Sequence, residues 1–315
     1  MTDPPLPAKE DGTKKSATGG TFVTDSPFIR LSREVQQAPE MRRQLLIDLE
    51  KEFGGRVVTY FSSFYKEEGQ VSDEDAEMLE SILAVEHSEG KVFLIVSSAG
   101  GSGMAAERIV NVCRAYSGDN FETVVPHMAK SAATMICFGS SKIHMSRTAE
   151  LGPVDPQLRY RDSSGTLRFI SAQEYIRSYD QLMTSATALQ GPHIEPFLQQ
   201  LERYDARLKE QLVSAQNLSV DISVRLLKTG MMAGKDDDEI KNKLSVFLLQ
   251  QRKNAHGRMI AFDEAKGCDL SLETIDLHSK KWNLIWDLYV RSNWVVTQNP
   301  GPSKLMESVS SSVTA

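Results

Sequence analysis

The chain has 315 residues, 40% hydrophobic and 25% charged, with a formal net charge of −6. That length allows one large domain or two modest ones, and the apolar share excludes an acidic disordered chain. The mild negative balance, with no basic stripe, argues against nucleic acid as a partner. Three cysteines, Cys113, Cys137 and Cys268, form no CxxC pair. Neither a disulfide framework nor a cysteine zinc site is expected, and a reducing compartment is implied. The longest apolar runs, Val92–Val96 and Met135–Phe138, fall far short of the ~20 residues of a membrane span. The N-terminal stretch MTDPPLPAKEDGTKK has no apolar signal core, so a cytoplasmic location is the expectation.

Residues 1–27, rich in Pro, Gly, Ser, Thr and charge, read as a disordered tail, and TQNPGPSKLMESVSSSVTA, residues 297–315, as a flexible one. The domain lies between them, over residues 28–296. Arg56–Ser63 is β-branched and aromatic, a strand pattern. Ser72 caps a helix running to about His87, with acids in its first turn and Met78, Leu79, Ile82 and Leu83 on one face. Lys91–Ser97 is a continuous apolar strand of the kind buried on both faces of a parallel sheet. A glycine turn, Ala99-Gly100-Gly101-Ser102-Gly103, leads into a helix over Met104–Tyr116. Thr123–His127 predicts a strand, Ala132–Gly139 a short helix and Lys142–Met145 another strand. This βαβαβαβ order implies a mostly parallel sheet with right-handed crossovers, whose ligands bind at the carboxyl ends of the strands. The turns at Gly100 and Ser131 both lie at those ends.

Beyond Gly165 the pattern turns helical, giving a helical insertion over about 171–250. Ser171-Ala-Gln-Glu174 is a capping box. One long amphipathic helix is expected to carry Ile194, Phe197, Leu198, Leu201, Tyr204, Leu208 and Leu212. Asp236–Glu239 reads as the acidic first turn of a further helix. Arg258–Phe262 reads as a short strand, followed by a helical turn that Gly267 ends; Trp282, Trp286 and Tyr289 lie at helical spacing, as core.

Two segments carry chemistry. Ser131, in Ala129-Lys130-Ser131-Ala132-Ala133, is flanked by small residues and opens a helix, whose free amides and dipole favour a nearby anion. The amides of Gly101 and Ala132 can together form an oxyanion hole. The plain alternative is that Ser131 is only an N-cap. His127 can line the cleft or be a satisfied structural histidine; Lys130 can be solvated, paired with a carboxylate, or bind an acidic group beside the site. His87 suits a helix end, and His144, His193 and His278 show no evident partners. No metal-ligand spacing is present, so no metal is expected.

These motifs carry a resemblance. VFLIVSSAGGSGMAAERI, VVPHMAKSAATMICFGSSKIHMS and AELGPVDPQ, in that order and spacing, resemble the ClpP/crotonase superfamily, and within it the serine dehydrogenase proteinase family. His256-Gly-Arg-Met-Ile-Ala-Phe-Asp-Glu-Ala-Lys266 is similar to the strand and helix near the end of the Clp proteolytic subunit. The resemblance implies a ClpP/crotonase-like α/β spiral of βαβ units with a helical C-terminal portion folding back to complete the site. It implies a serine peptidase that needs no cofactor and acts on a peptide or protein substrate. It also implies a homo-oligomer, with any regulator a separate chain. Ser131 would be the nucleophile, and the amides of Gly101 and Ala132 the oxyanion hole beside Gly100. The Clp histidine position matches Leu151–Gln157, which holds Asp155 and no histidine; the Clp aspartate position matches His256-Gly257. Acid and base are therefore expected to have exchanged places, giving Ser131, His256 and Asp155, with a lysine base as the open alternative. Two further readings belong to the same fold: a crotonase-like acyl-CoA-binding enzyme and a non-catalytic oligomeric scaffold.

Overall fold

The computed structural model describes residues 39–85, 90–161, 164–188, 194–248 and 258–315. The tail expected at 1–27 and three of the histidines, His87, His193 and His256, lie outside the described residues. In chain order the elements are α1 (Pro39–Phe53), β1 (Arg56–Ser62), α2 (Asp73–Val85), β2 (Val92–Ser97), α3 (Gly103–Ser117), β3 (Phe121–Val125), β4 (Met128–Ala129), α4 (Ala132–Phe138), β5 (Ile143–Met145) and β6 (Glu150–Leu151). A hairpin, β7 (Gln157–Arg161) and β8 (Leu167–Ser171), follows. The helices α5 (Ala172–Thr187), α6 (Glu195–Leu201), α7 (Ala206–Lys228) and α8 (Asp237–Lys243) come next. The chain then forms β9 (Ile260–Ala261), α9 (Phe262–Lys266), β10 (Leu272–Thr274), α10 (Lys280–Thr297), β11 (Lys304–Glu307) and β12 (Ser312–Thr314).

The main sheet has seven strands in the order β10-β5-β3-β2-β1-β11-β12. The first five run parallel, and β11 and β12 are antiparallel additions. Alternation along the strands divides the core in two. Val58, Leu94, Val96 and Val125 face the layer of α2, α3 and α4. Val57, Phe61, Phe93, Ile95 and Val124 face α1 and α10, including Leu46, Leu49, Ile285 and Leu288. With both faces covered, β2 has no exposed residue, which is why it reads as an unbroken apolar run. A second sheet, β4-β6-β9, sits beyond the carboxyl ends of β2 and β3 and draws three distant segments together.

Several expectations change. Residues 297–315 are not a loose tail: β11 pairs with β1, and Leu305 and Met306 are wholly buried. Lys304 and Glu307, charged residues of that segment, are buried against Asp75 and Arg42. The long helix from Ile194 to Leu212 is two helices, because Asp205 leaves the helical conformation to accept the Arg207 amide and cap α7. Helix α1 and the β7–β8 hairpin have no counterpart in the reading of the sequence.

His144 has partners after all. It is buried on β5, with Nε2 2.5 Å from Glu122 of β3, and Glu273 of β10 lies 3.8 Å from its other nitrogen. Burial lowers its pKa, outweighing the pull of Glu122, while Lys91 and His144 together hold the Glu122 carboxyl below its usual range against its own burial. No described helix is long and apolar enough to cross a membrane.

Two predictions follow from this packing. Met306→Ala is expected to lower the unfolding free energy by about 2–5 kcal/mol, read by denaturant titration; an uncoupled tail would show no change. Because His144 takes up its proton more readily unfolded, its stabilising effect is full above its ordinary pKa of about 6.5 and is lost as pH falls below it. Denaturation midpoints at pH 7.5 and pH 5.5 should therefore differ more for the wild type than for His144→Gln, which keeps the donor to Glu122 without titrating.

Candidate active site

The site forms where β2 and β4 end. Ser98 sits in a parallel bridge with Ala129, donating its amide to Met128 at 3.2 Å and accepting that of Lys130 at 3.0 Å. Its buried Oγ accepts the Gly100 amide at 3.2 Å and the Ser62 hydroxyl at 2.8 Å. The two segments singled out in the sequence are thus fastened side by side. Gly100 has φ +97°, a left-handed conformation that favours glycine. A Cβ there would lie 2.5 Å from the Lys130 carbonyl oxygen and 2.7 Å from the Ser131 Cβ. Gly101 is backed on its other side by Val71, whose N–H donates to Gly100 O and whose C=O accepts from Ser102 N, both at 2.9 Å.

Ser131 is half-exposed and has φ +50°, ψ −117°, outside the regions a serine ordinarily occupies. Its side chain makes no capping hydrogen bond, although it stands at the N-cap position of α4. The N-cap reading therefore does not describe its hydroxyl, which is left to the cleft. Its backbone is held by Ala133 N to Lys130 O at 2.9 Å and Met135 N to Ser131 O at 3.1 Å. Among the described residues, neither the Gly101 nor the Ala132 amide donates to a backbone acceptor.

Thr134 clamps the next segment. Its hydroxyl lies 2.7 Å from Ala129 O and 3.0 Å from Gly152 O, and accepts the Gly152 amide at 3.1 Å. This sets 152–156 against α4. Asp155 there is 3% exposed, and Pro156 lines both cavities beside Ser131. The first cavity, about 390 Å³, is bounded by Ser63, Gln70, Gly101, Gln157 and Phe169. The second, about 180 Å³, is walled mainly by apolar groups: Met104, Met135, Val154, Leu218 and Ile222. Neither Val71 nor Thr134 carries a signal that singles it out in the sequence, because Val71 acts through its backbone and the Thr134 hydroxyl through the backbone of other segments.

The accessory candidates are occupied elsewhere. Lys130 Nζ lies 2.5 Å from Glu150 and donates to Leu151 O at 3.4 Å. This is the carboxylate-paired alternative. His127 is partly buried, with Nδ1 2.9 Å from Tyr289 OH on α10. Burial lowers the His127 pKa, with Glu150 opposing and Lys130 adding, and burial pushes Tyr289 up to about 12. His256 lies outside the described residues.

The structure is a mixed α/β fold around a mostly parallel sheet, with a glycine turn and a strained serine heading a helix at its strand ends. Residues 68–188 match the family described as ClpP-like SDH-type serine proteinase, so the relationship expected from the motifs holds over that segment. The chain is also similar to two uncharacterized proteins of Methanocaldococcus jannaschii. It is 28% identical to MJ0137 over 37% of this chain and 40% of that protein. It is 27% identical to MJ1495 over 28% of this chain and 30% of that protein. The chain thus matches less than half the length of either relative.

Gly100→Ala combines the disallowed φ with backbone contacts that cannot yield. It is expected to destabilise the protein by more than about 1 kcal/mol, measured by thermal or denaturant unfolding. Gly165→Ala, where a Cβ meets nothing within 4 Å, is the strain-only comparison and should cost less.

Proposed function

We propose that this chain is a ClpP-type serine peptidase in which Ser131 attacks a peptide carbonyl. His256 takes the Ser131 proton and passes it to the leaving amine. Asp155 orients the imidazole, and the Gly101 and Ala132 amides stabilise the tetrahedral oxyanion. The observation that carries this reading is the Ser131 backbone. A residue at φ +50°, ψ −117° costs about 1–3 kcal/mol and persists where surrounding contacts over-determine it, as at nucleophiles on strand-to-helix turns. The family match over 68–188 supports the same reaction class.

The reading of Asp155 as the acid draws support from strand register. In the antiparallel pair β6–β9, Glu150 faces Ala261 and Leu151 faces Ile260. Asp155 follows Leu151 by four residues and is buried between Val154 and Pro156, which line a cavity beside Ser131. The parallel pair β4–β6 sets Ala129 beside Leu151, two residues before Ser131. Asp155 and Ser131 therefore both follow paired strands of one small sheet. The lysine alternative is weaker, because the Lys130 ammonium is committed to Glu150. The apolar cavity beside Ser131 suits a hydrophobic substrate side chain next to the scissile bond.

The test is fluorophosphonate labelling of the purified full chain. Wild type should label and Ser131→Ala should not. His256→Ala should slow labelling by about 10³-fold or more, and Lys130→Met by less than about tenfold. Labelling that survives in His256→Ala and vanishes in Lys130→Met would make the lysine the base. A wild type that does not label in any oligomeric state overturns the peptidase reading in favour of a non-catalytic scaffold or an acyl-CoA site, which an acyl-CoA binding measurement separates.

A further inference from the structure

We propose that Lys304, on the C-terminal strand β11, is a positioning residue for the Gly101 amide, acting through Asp75, Ser72 and Val71. The proposal rests on the reading of Ser131 and Gly101 as catalytic and goes beyond it, since Lys304 lies outside the matched segment and lines neither cavity beside Ser131.

The connection is continuous. Asp75, in the first turn of α2, has no exposed surface. Its Oδ1 accepts Lys304 Nζ at 2.7 Å. Its Oδ2 accepts the Tyr60 hydroxyl at 2.7 Å and the Ser72 amide at 2.8 Å. Lys304 Nζ also donates to Ser72 Oγ at 2.9 Å. Ser72 is therefore held at both its backbone and its side chain, and Val71 immediately precedes it. Val71 in turn holds the two peptides that flank Gly101, through Gly100 O and Ser102 N. In a parallel bridge of this kind the residue between the two bonded groups turns its own N–H to the opposite side. The Gly101 amide is thereby aimed away from Val71, into the cleft it shares with Ser131. A Cβ on Gly101 would lie 2.4 Å from Val71 N, so the two backbones are already as close as they can be. Any shift of Ser72 is passed to the oxyanion amide.

Removing an oxyanion donor outright costs about 10²–10³ in rate, and displacement by a fraction of a bond length costs part of that. The same strand supplies its own control. Glu307 of β11 forms another buried pair with Arg42 of α1, at 2.7 Å, and Arg42 has no contact with Ser72 or Val71 in the network above. Breaking it weakens the anchorage of β11 without touching the connection to Gly101.

The experiment follows fluorophosphonate labelling and amide hydrogen exchange on the full chain for wild type, Lys304→Met, Tyr60→Phe and Arg42→Met, each checked for a cooperative melt. Lys304→Met should lower the maximal labelling rate by about tenfold or more while the half-saturating probe concentration changes by less than about twofold. It should also speed exchange of the Val71 and Ser102 amides. Tyr60→Phe, which keeps the ion pair and loses one hydrogen bond to Asp75, should shift both readouts the same way by less, and decides the matter if Lys304→Met does not fold. Arg42→Met should lower the melting temperature and leave both readouts in place. Wild-type labelling and exchange in folded Lys304→Met, or an Arg42→Met variant slowed as much, overturns the proposal. A wild type that does not label overturns the peptidase reading instead, and exchange at Val71 and Ser102 then decides alone whether Lys304 holds the glycine turn.

Discussion

The backbone of Ser131 is the constraint on which the surrounding structure depends. Its conformation is unfavourable for any residue with a side chain, so neighbouring groups must make every alternative worse. Ser98 fixes the residue before it through the Lys130 amide at 3.0 Å. Helix α4, whose seven residues are all buried, fixes the residues after it. Gly100 removes the Cβ that would collide with Ser131 itself. The glycine turn and the serine turn are therefore one device: each takes its conformation only because the other is shaped to receive it.

Charge placement follows the same logic. The residues closest to the cleft keep their charges occupied, Lys130 by Glu150 and Lys66 by the carbonyls of Gly301 and Pro302 at 2.9 and 3.0 Å. The costlier buried pairs lie behind, where strands must be fixed: Asp75–Lys304 and Arg42–Glu307 both bind β11 to helices from the first third of the chain. A buried pair contributes little net stability, yet losing one partner is expensive, so such pairs select one arrangement more than they strengthen it. That suits a strand added antiparallel to β1 at the margin of the parallel sheet.

The parts legible in the sequence are those whose signals are local. The apolar run of β2, the glycines after it and the small residues around Ser131 lie within about forty positions, and each reports its own conformation. The C-terminal strands were illegible because Lys304 and Glu307 look like solvated residues until their partners, 229 and 265 positions away, are in place. His144 shows no partner in the sequence for the same reason: Glu122 reaches it across a strand pair, not along the chain. Asp205 shows the opposite error, an interruption hidden within a convincing helical periodicity.

The exchange of acid and base proposed for this site has a simple geometric basis. A triad requires only that three side chains meet, and chain order does not enter the chemistry. Where two adjacent antiparallel strands lead into the site, either can carry the imidazole and the other the carboxylate, because the pair presents both positions to the same serine. Here β6 and β9 are adjacent and antiparallel, with Glu150 opposite Ala261 and Leu151 opposite Ile260. Trading imidazole and carboxylate between chain positions leaves the demands on Ser131, Gly101 and Ala132 unchanged. Ser131 and the glycine turn are pinned from several directions by Ser98, Val71 and α4, whereas the proposed base and acid need only meet each other and the serine. The glycine and serine motifs therefore stay recognisable where the acid and base do not.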